Sequence, residues 1–386
     1  MYAASTARSD PKKPAIIHST SGKIHSFAEY EARANQLAHL CRDMGLGHRG
    51  HIAQLMENCL EFAEIGGAAV RAGLYYTSIS AYLSADEIAY IVSDSQSRLL
   101  VASAGLGDVI KSLPQICPNV ERFLLVGGTA EGWESYEDAI ASYPDTPIAD
   151  EMLGGVMLYS SGTTGRPKGI IRALPDQPPG APQMIVEMGF KLFGFHEDMI
   201  YLSPAPLYHS APQVALNSLL RKGMTNLIME RFDAEEFLHL VEKYNVTHTQ
   251  VVPTMLIRLL KLPEAVRTKY DVSSLQSIVH AGAPCPIAIK EQAMEWFGPI
   301  INEYYGATEG NGLTWCTPSD WLAHKGSVGK TIMGALEIRD ENGNPCPVGE
   351  SGQVWFGGAS DFEYFNDDNK TKEGRDNQGF STVGDI

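Results

Sequence analysis

The 386-residue sequence carries 46 acidic against 30 basic side chains, a formal charge of -16 at pH 7. That balance disfavours nucleic acid or an anionic membrane as the main partner, because either would repel the chain. Apolar residues at 44% and charged residues at 20% exclude a disordered polymer, and the length calls for two or three packed units.

Residues 15–18 and 23–27 flank Ser-Thr-Ser-Gly and predict a hairpin. Residues 28–44 follow with Tyr30, Ala34, Leu37, Leu40 and Cys41 at helical spacing, stopping at Gly45. Strands are expected at 51–56, 98–102 and 122–126, with a helix at 61–72. The middle repeats the alternation: strand 226–229, amphipathic helix 234–244, strand 248–252 up to Pro253, strand 277–282 into a Gly-Ala-Pro turn, and helix 287–297. Beyond about Trp321 helices are expected to stop, leaving short strands at 336–339 and 352–356. Alternation of this kind specifies an α/β fold. The expectation is two layered α/β subdomains with mixed sheets, over about 1–155 and 156–320 and free to interleave, plus a mainly β, barrel-like unit over 321–386.

The six cysteines (Cys41, Cys59, Cys117, Cys285, Cys316, Cys346) are scattered, with no CxxC pair and no clustered Cys/His ligands. That pattern suggests neither a zinc site nor a disulfide framework, and a reducing cytosol is the expected setting. No signal peptide opens the chain, and every apolar stretch is broken well short of the ~20 residues of a membrane-spanning helix. A cytoplasmic protein is expected, with peripheral membrane contact and a homodimer both left open.

The most informative segment is Ser160-Ser161-Gly162-Thr163-Thr164-Gly165-Arg166-Pro167-Lys168-Gly169, which follows the apolar run Val156-Met157-Leu158-Tyr159. Its glycines let backbone approach a ligand closely, and its N–H groups, hydroxyls and two cations are donors for phosphate oxygens. The spacing does not fit GxxxxGK[ST], since Pro167 stands five residues after Gly162 and Gly169 follows Lys168. On composition alone a solvated surface turn fits the segment equally well.

The decamer resembles the phosphate loop, [ST]SGTTGxPKG, of the adenylate-forming superfamily: acyl-CoA synthetases, luciferase-like enzymes and peptide-synthetase adenylation domains. Further elements resemble that family in order. Glu303-Tyr304-Tyr305-Gly306-Ala307-Thr308-Glu309-Gly310 is similar to its YGxTE segment, Gly282-Ala283-Pro284 to its adenine-covering strand end, and Ser381-Thr382-Val383-Gly384-Asp385 to its TGD element, with Val383 a departure. The resemblance implies that Ser160, Ser161, Gly162, Thr163, Thr164, Gly165 and Lys168 wrap phosphates, with Thr163 and Lys168 in catalytic positions. It implies that Tyr305, within the segment Tyr304 to Ala307, stacks on adenine, that Thr308 bonds phosphate, and that Glu309 holds Mg²⁺. Gly282, Ala283 and Pro284 would cover the other face of the base, and Asp385 would bond the ribose. Each role suits its residue: an aromatic face a purine, a hard carboxylate oxygen magnesium.

Leu207-Tyr208-His209-Ser210-Ala211 sits where the family places an aromatic-His segment, which makes His209 a gate or orienting group, with Thr254, Gly282 and Gly310 beside the acyl group. An acid that would hold an α-amino group is missing from 206–212, which disfavours an amino-acid substrate. The run 304–313 together with 321–329 is most similar to acyl-CoA synthetases of the fatty-acid and steroid-side-chain type. The implied reaction consumes a carboxylic acid, ATP and CoA: an acyl-adenylate forms first and the thiolate then displaces AMP. Family members continue past the TGD aspartate into a small domain bearing an adenylation lysine, whereas this sequence stops one residue after Asp385. The 386 residues are therefore expected to bind nucleotide and acid but to adenylate poorly. An aryl-CoA or luciferase-like enzyme, or a silent nucleotide-binding module, are the alternatives.

Overall fold

The computed structural model describes residues 2–160, 166–358 and 362–386. Among these residues the strands form four sheets. The largest runs in spatial order Lys330–Met333, Leu313–Cys316, Ile301–Gly306, Ser277–His280, His248–Val251, Ile200–Ser203, Thr225–Ile228, Pro14–His18 and Ile24–Ser26. Its central strands, from Ile301–Gly306 across to Pro14–His18, are all parallel, and antiparallel strands close both edges. A second, all-parallel sheet is ordered Glu134–Ser135, Arg122–Val126, Leu99–Ser103, His51–Leu55, Tyr75–Ile79 and Gly155–Val156.

The hairpin at 14–26 joins the larger sheet, so the two α/β layers interleave in sequence. One apolar cluster unites them: Ile16 and Ile228 of the larger sheet meet Ile52, Leu99 and Leu124 of the smaller, together with the helical Leu37, Ile65 and Leu216. Strands buried on both faces read as near-continuous apolar runs, as Leu99–Ser103 illustrates; Tyr75–Ile79 is also buried throughout but carries Thr77 and Ser78 in its middle.

Helix boundaries follow local chemistry. Ser26 and Glu29 form a reciprocal capping box at the start of Phe27–Asp43. Asp233 accepts from Glu235 and Glu236 N–H to open Ala234–Tyr244, which ends at Asn245 in the left-handed region.

Two expectations are corrected. Helices do occur near and after Trp321: Pro318–Ala323, capped by Thr317 with proline in its first turn, and Asp368–Glu373, capped by Asp367. Both are too short to show a periodicity, and cap chemistry nucleates them. The C-terminal β region is an open three-stranded antiparallel sheet, Ala335–Arg339, Gln353–Gly357 and Phe380–Ser381. Among the described residues it has too few strands to close into a barrel. No described helix is long and apolar enough to cross a membrane, and all six cysteines are free thiols.

Candidate active site

The parallel strands of the larger sheet deliver their C-terminal ends to one edge, the place where open α/β sheets bind ligands. Four sequence-singled segments emerge there. Residues 204–209 follow Ile200–Ser203, residues 252–254 follow His248–Val251, residues 281–284 follow Ser277–His280, and residues 307–310 follow Ile301–Gly306. His209, Thr254, Gly282 and Thr308 thus share an edge although up to a hundred residues separate them in the chain.

The glycine-threonine loop is carried by a hairpin in the fourth sheet, in which Leu158–Ser160 pairs antiparallel with Lys168–Ile171 and Lys168 lies opposite Ser160. Ser161, Gly162, Thr163, Thr164 and Gly165 lie outside the described residues, but the base of the hairpin is firmly held. Tyr159 donates to Asp94 Oδ2 at 2.6 Å, and Tyr90 donates to the Pro167 carbonyl at 3.1 Å. The Arg166 guanidinium sits 5.0 Å over the Tyr90 ring. Tyr90 and Asp94 both belong to the helix Ala85–Asp94. Lys168 Nζ bonds Asp367 Oδ2 at 2.5 Å, while Asp367 Oδ1 caps Lys370 N–H at 3.0 Å. The Asp367 bond raises the Lys168 pKa, and the same bond lowers that of Asp367.

The third strand of this sheet, Glu363–Tyr364, pairs with Ile170 and Ile171, and it links the hairpin to the turn after Ile301–Gly306. Tyr364 donates to Glu309 Oε1 at 2.9 Å. Arg172, one residue past the hairpin strand, donates to the carbonyls of Glu309 at 2.6 Å and Thr308 at 3.2 Å. Glu309 is 6% exposed, and burial followed by the Glu309 charge pushes the Tyr364 hydroxyl pKa well up, keeping it a donor. Gly310 turns the chain at φ +62°.

Tyr305 and Asp385 meet: the phenol donates to Asp385 Oδ2 at 2.7 Å. Asn311 Nδ2 ties the same turn to the Ser381 carbonyl at 3.3 Å, just before Asp385 in the chain. Tyr304 projects elsewhere. Its hydroxyl accepts from Gln250 Nε2 at 2.7 Å, and Phe193 stacks on its ring at 6.2 Å. Phe193 and Gln250 also line, with Phe195, Tyr201 and Val279, a crevice too narrow to admit a water molecule. Gly306 and Ala307 continue from Tyr305 into the turn. Gly282 adopts φ +83°, a conformation that favours glycine, and with Ala283 and Pro284 it is exposed at the edge.

His209 is the N-terminal flanking residue of the helix Ser210–Arg221, with its ring centroid 4.4 Å from that of Tyr208, and partial burial lowers its pKa. Its loop is held by a residue that sequence reading missed. Asn58, 4% exposed, donates to the Ala205 carbonyl at 2.9 Å and the Met229 carbonyl at 2.7 Å. Its Oδ1 accepts from Leu207 N–H at 2.8 Å. Asn58→Asp keeps the acceptor but strips both carbonyls of their donor and buries a charge. It should lower the unfolding free energy by about 2 kcal/mol, read from a urea titration; an unchanged midpoint would reject this role.

Arg172, Tyr364 and Asp367 were missed in the same way, because nothing in their local sequence marks them. A metal fits at one carboxylate. Glu309 offers a hard oxygen beside the hydroxyl-bonded one, and Mg²⁺ commonly takes one or two carboxylates, completing its shell with substrate phosphates and water. No group of three or more His, Cys, Asp or Glu ligands occurs among the described residues.

The family model for "AMP-binding enzyme" matches residues 3–363. A 4-coumarate–CoA ligase from Pinus taeda is 27% identical over 395 residues, covering 97% of this chain and 71% of the pine protein. Among solved structures, the inhibitor-bound N-terminal domain of FACL13 from Mycobacterium tuberculosis superimposes with a TM-score of 0.81 at 24% identity, covering 98% of this chain and 94% of that one. The anthranilate CoA ligase AuaEII in complex with anthranoyl-AMP gives 0.84 at 23% identity, covering 99% and 74%. At these identities the structural matches establish the fold.

Proposed function

The chain belongs to the AMP-binding enzyme family, and from that premise we propose that it activates an apolar carboxylic acid with ATP and passes the acyl group to CoA. A carboxylate oxygen attacks the α-phosphorus, pyrophosphate leaves, and an acyl-adenylate results; the CoA thiolate then attacks the acyl carbon and AMP departs. The observation that carries this reading is the Tyr305–Asp385 contact at the same sheet edge as the turn that Arg172 and Tyr364 fasten to the loop-bearing hairpin.

In this proposal the loop 160–165 and Lys168 bind the phosphates, Thr308 adds a donor, and Asp385 takes the ribose hydroxyls. Adenine lies between Tyr305 and the segment Gly282-Ala283-Pro284. Magnesium, held through Glu309, would neutralise phosphate charge when bound. The protein's own contribution is positioning and preorganised donors, with no covalent enzyme intermediate. The acid would lie between His209, Thr254, Gly282 and Gly310, with its tail directed toward Tyr304.

Fatty or polycyclic acids are the first substrate reading. A second, an aryl acid, draws support from the name of the pine relative. Acid-dependent ATP–pyrophosphate exchange over a panel of alkyl, polycyclic and aryl acids, with and without CoA, tests both. The best acid should stimulate exchange at least tenfold over the no-acid rate. Nucleotide binding without exchange by any acid would reject catalysis, and exchange without thioester would reject CoA as acceptor.

A further inference from the structure

The proposed adenine platform has a second layer. Phe356 is central in the C-terminal three-stranded sheet, opposite Leu336 on one side and Ser381 on the other. Its side chain leaves that sheet and stacks on Tyr305, with centroids 6.1 Å apart and planes 26° from parallel, within the range of favourable offset aromatic pairs. It is 2% exposed, whereas Tyr305 stays partly open to solvent.

The turn leaves a gap for this ring. A Cβ placed on Gly312 would stand 2.0 Å from Cγ and Cδ1 of Phe356, closer than any real contact. Gly312 has no positive φ to account for it, so the ring, and not the backbone, makes glycine necessary here. The other end of Tyr305 is fixed by its bond to Asp385. The backbone of Asp385 is itself returned to the Phe356 sheet, its carbonyl accepting from Val354 N–H at 2.9 Å.

We infer that Phe356 is a positioning residue for nucleotide binding: seated in the gap at Gly312, it holds the Tyr305 ring in the plane that a purine stacks on and holds Asp385 in register with the ribose. The inference rests on the proposed nucleotide site; it adds Phe356, which no motif named, and gives a packing reason for Gly312 within the run 304–313. Its physical content is preorganisation. A tyrosine free to rotate about its side-chain torsions must be ordered when the base binds, and one already clamped on a ring and a carboxylate does not incur that cost at binding.

The test compares a ligand that needs the platform with one that does not. AMP and inorganic pyrophosphate are titrated calorimetrically into the parent protein and into Phe356→Ala, Phe356→Tyr and Gly312→Ala. Phe356→Ala should raise the Kd for AMP about tenfold, within the worth of one lost stacking layer, and leave the Kd for pyrophosphate within twofold. Phe356→Tyr, which keeps a ring, should restore AMP binding. Gly312→Ala, which displaces the ring without removing it, should reproduce the alanine phenotype and serves if Phe356→Ala fails to fold. Parent-like AMP binding in both Phe356→Ala and Gly312→Ala would overturn the inference and leave the nucleotide site standing. Equal loss of AMP and pyrophosphate would also overturn it, as general damage to the fold. A parent that binds neither ligand would overturn the nucleotide site and this inference together.

Discussion

Glu303→Gln should cost about 3–5 kcal/mol of folding stability, the expected penalty for breaking one partner out of a buried ion pair. Glu303 is 5% exposed and accepts from Lys290 Nζ at 2.6 Å, and Lys290 has no exposure at all. His280, equally buried, stands 3.3 Å from the same carboxylate oxygen, and the Lys290 ammonium lies 4.9 Å over the Trp321 ring. Glutamine preserves the shape but leaves the ammonium without its counter-charge inside a helix-and-sheet core. Burial alone would raise the Glu303 pKa; the His280 and Lys290 contacts outweigh it and bring it below the ordinary 4.5. The sign follows. The folded pKa is depressed, so the stabilisation is complete above the unfolded value and is lost as pH falls through the folded one. Urea unfolding near pH 7 should show the full loss in Glu303→Gln, and the parent should approach the variant as the medium is acidified below pH 4.5. Adding Lys290→Met to Glu303→Gln removes the orphaned charge and should recover most of the loss. If the single variant melts with the parent, or the double is no better than the single, the pair does not stabilise this core.

Much of this fold could be read locally, and the exceptions share a cause. The hairpin at 14–26, the helices at 27–43, 234–244 and 287–297, and the parallel strands at 51–55, 99–103, 122–126, 225–228, 248–251 and 277–280 were visible because each is long enough for its pattern to repeat, or is bounded by a turn or cap. The parallel strands Tyr75–Ile79, Ile200–Ser203 and Ile301–Gly306 were not singled out. The helix Met184–Phe193 was not foreseen: seven of its ten residues are apolar, Gly189 interrupts it and no side chain caps its start. The strand Glu363–Tyr364 has two residues and no pattern at all, yet it joins the hairpin to Glu309.

The candidate site divides along the same line. Lys168, Thr308, Glu309 and Asp385 lie in contiguous motifs and could be singled out from the chain alone. Asn58, Arg172, Tyr364 and Asp367 act across 149, 137, 55 and 199 positions respectively. Their identities become meaningful only once the sheet edge has brought their partners near. Tyr304 and Tyr305 show how register enters. Adjacent on one strand, they must project to opposite faces, so one meets Asp385 and the other Phe193.

Glu309→Gln is expected to slow acid-dependent ATP–pyrophosphate exchange by about 10²–10³-fold, the usual effect of deleting one preorganised electrostatic contact at a reacting phosphate. The substitution is a clean probe because of its neighbours. The glutamine oxygen can still accept from Tyr364, and the Arg172 bonds run to backbone carbonyls, so the turn should persist with only the charge removed. Tyr364→Phe is the converse: it keeps the carboxylate and loses the hydroxyl that orients it, and should slow exchange by about tenfold, or ~1.4 kcal/mol. The two changes also separate in their metal dependence. A carboxylate that holds magnesium makes the half-saturating Mg²⁺ concentration rise in Glu309→Gln, while Tyr364→Phe, with its charge intact, should shift it far less. Exchange by Glu309→Gln at the parental rate and with the parental Mg²⁺ requirement would remove Glu309 from the reaction, and with it the reason for a buried carboxylate at this turn.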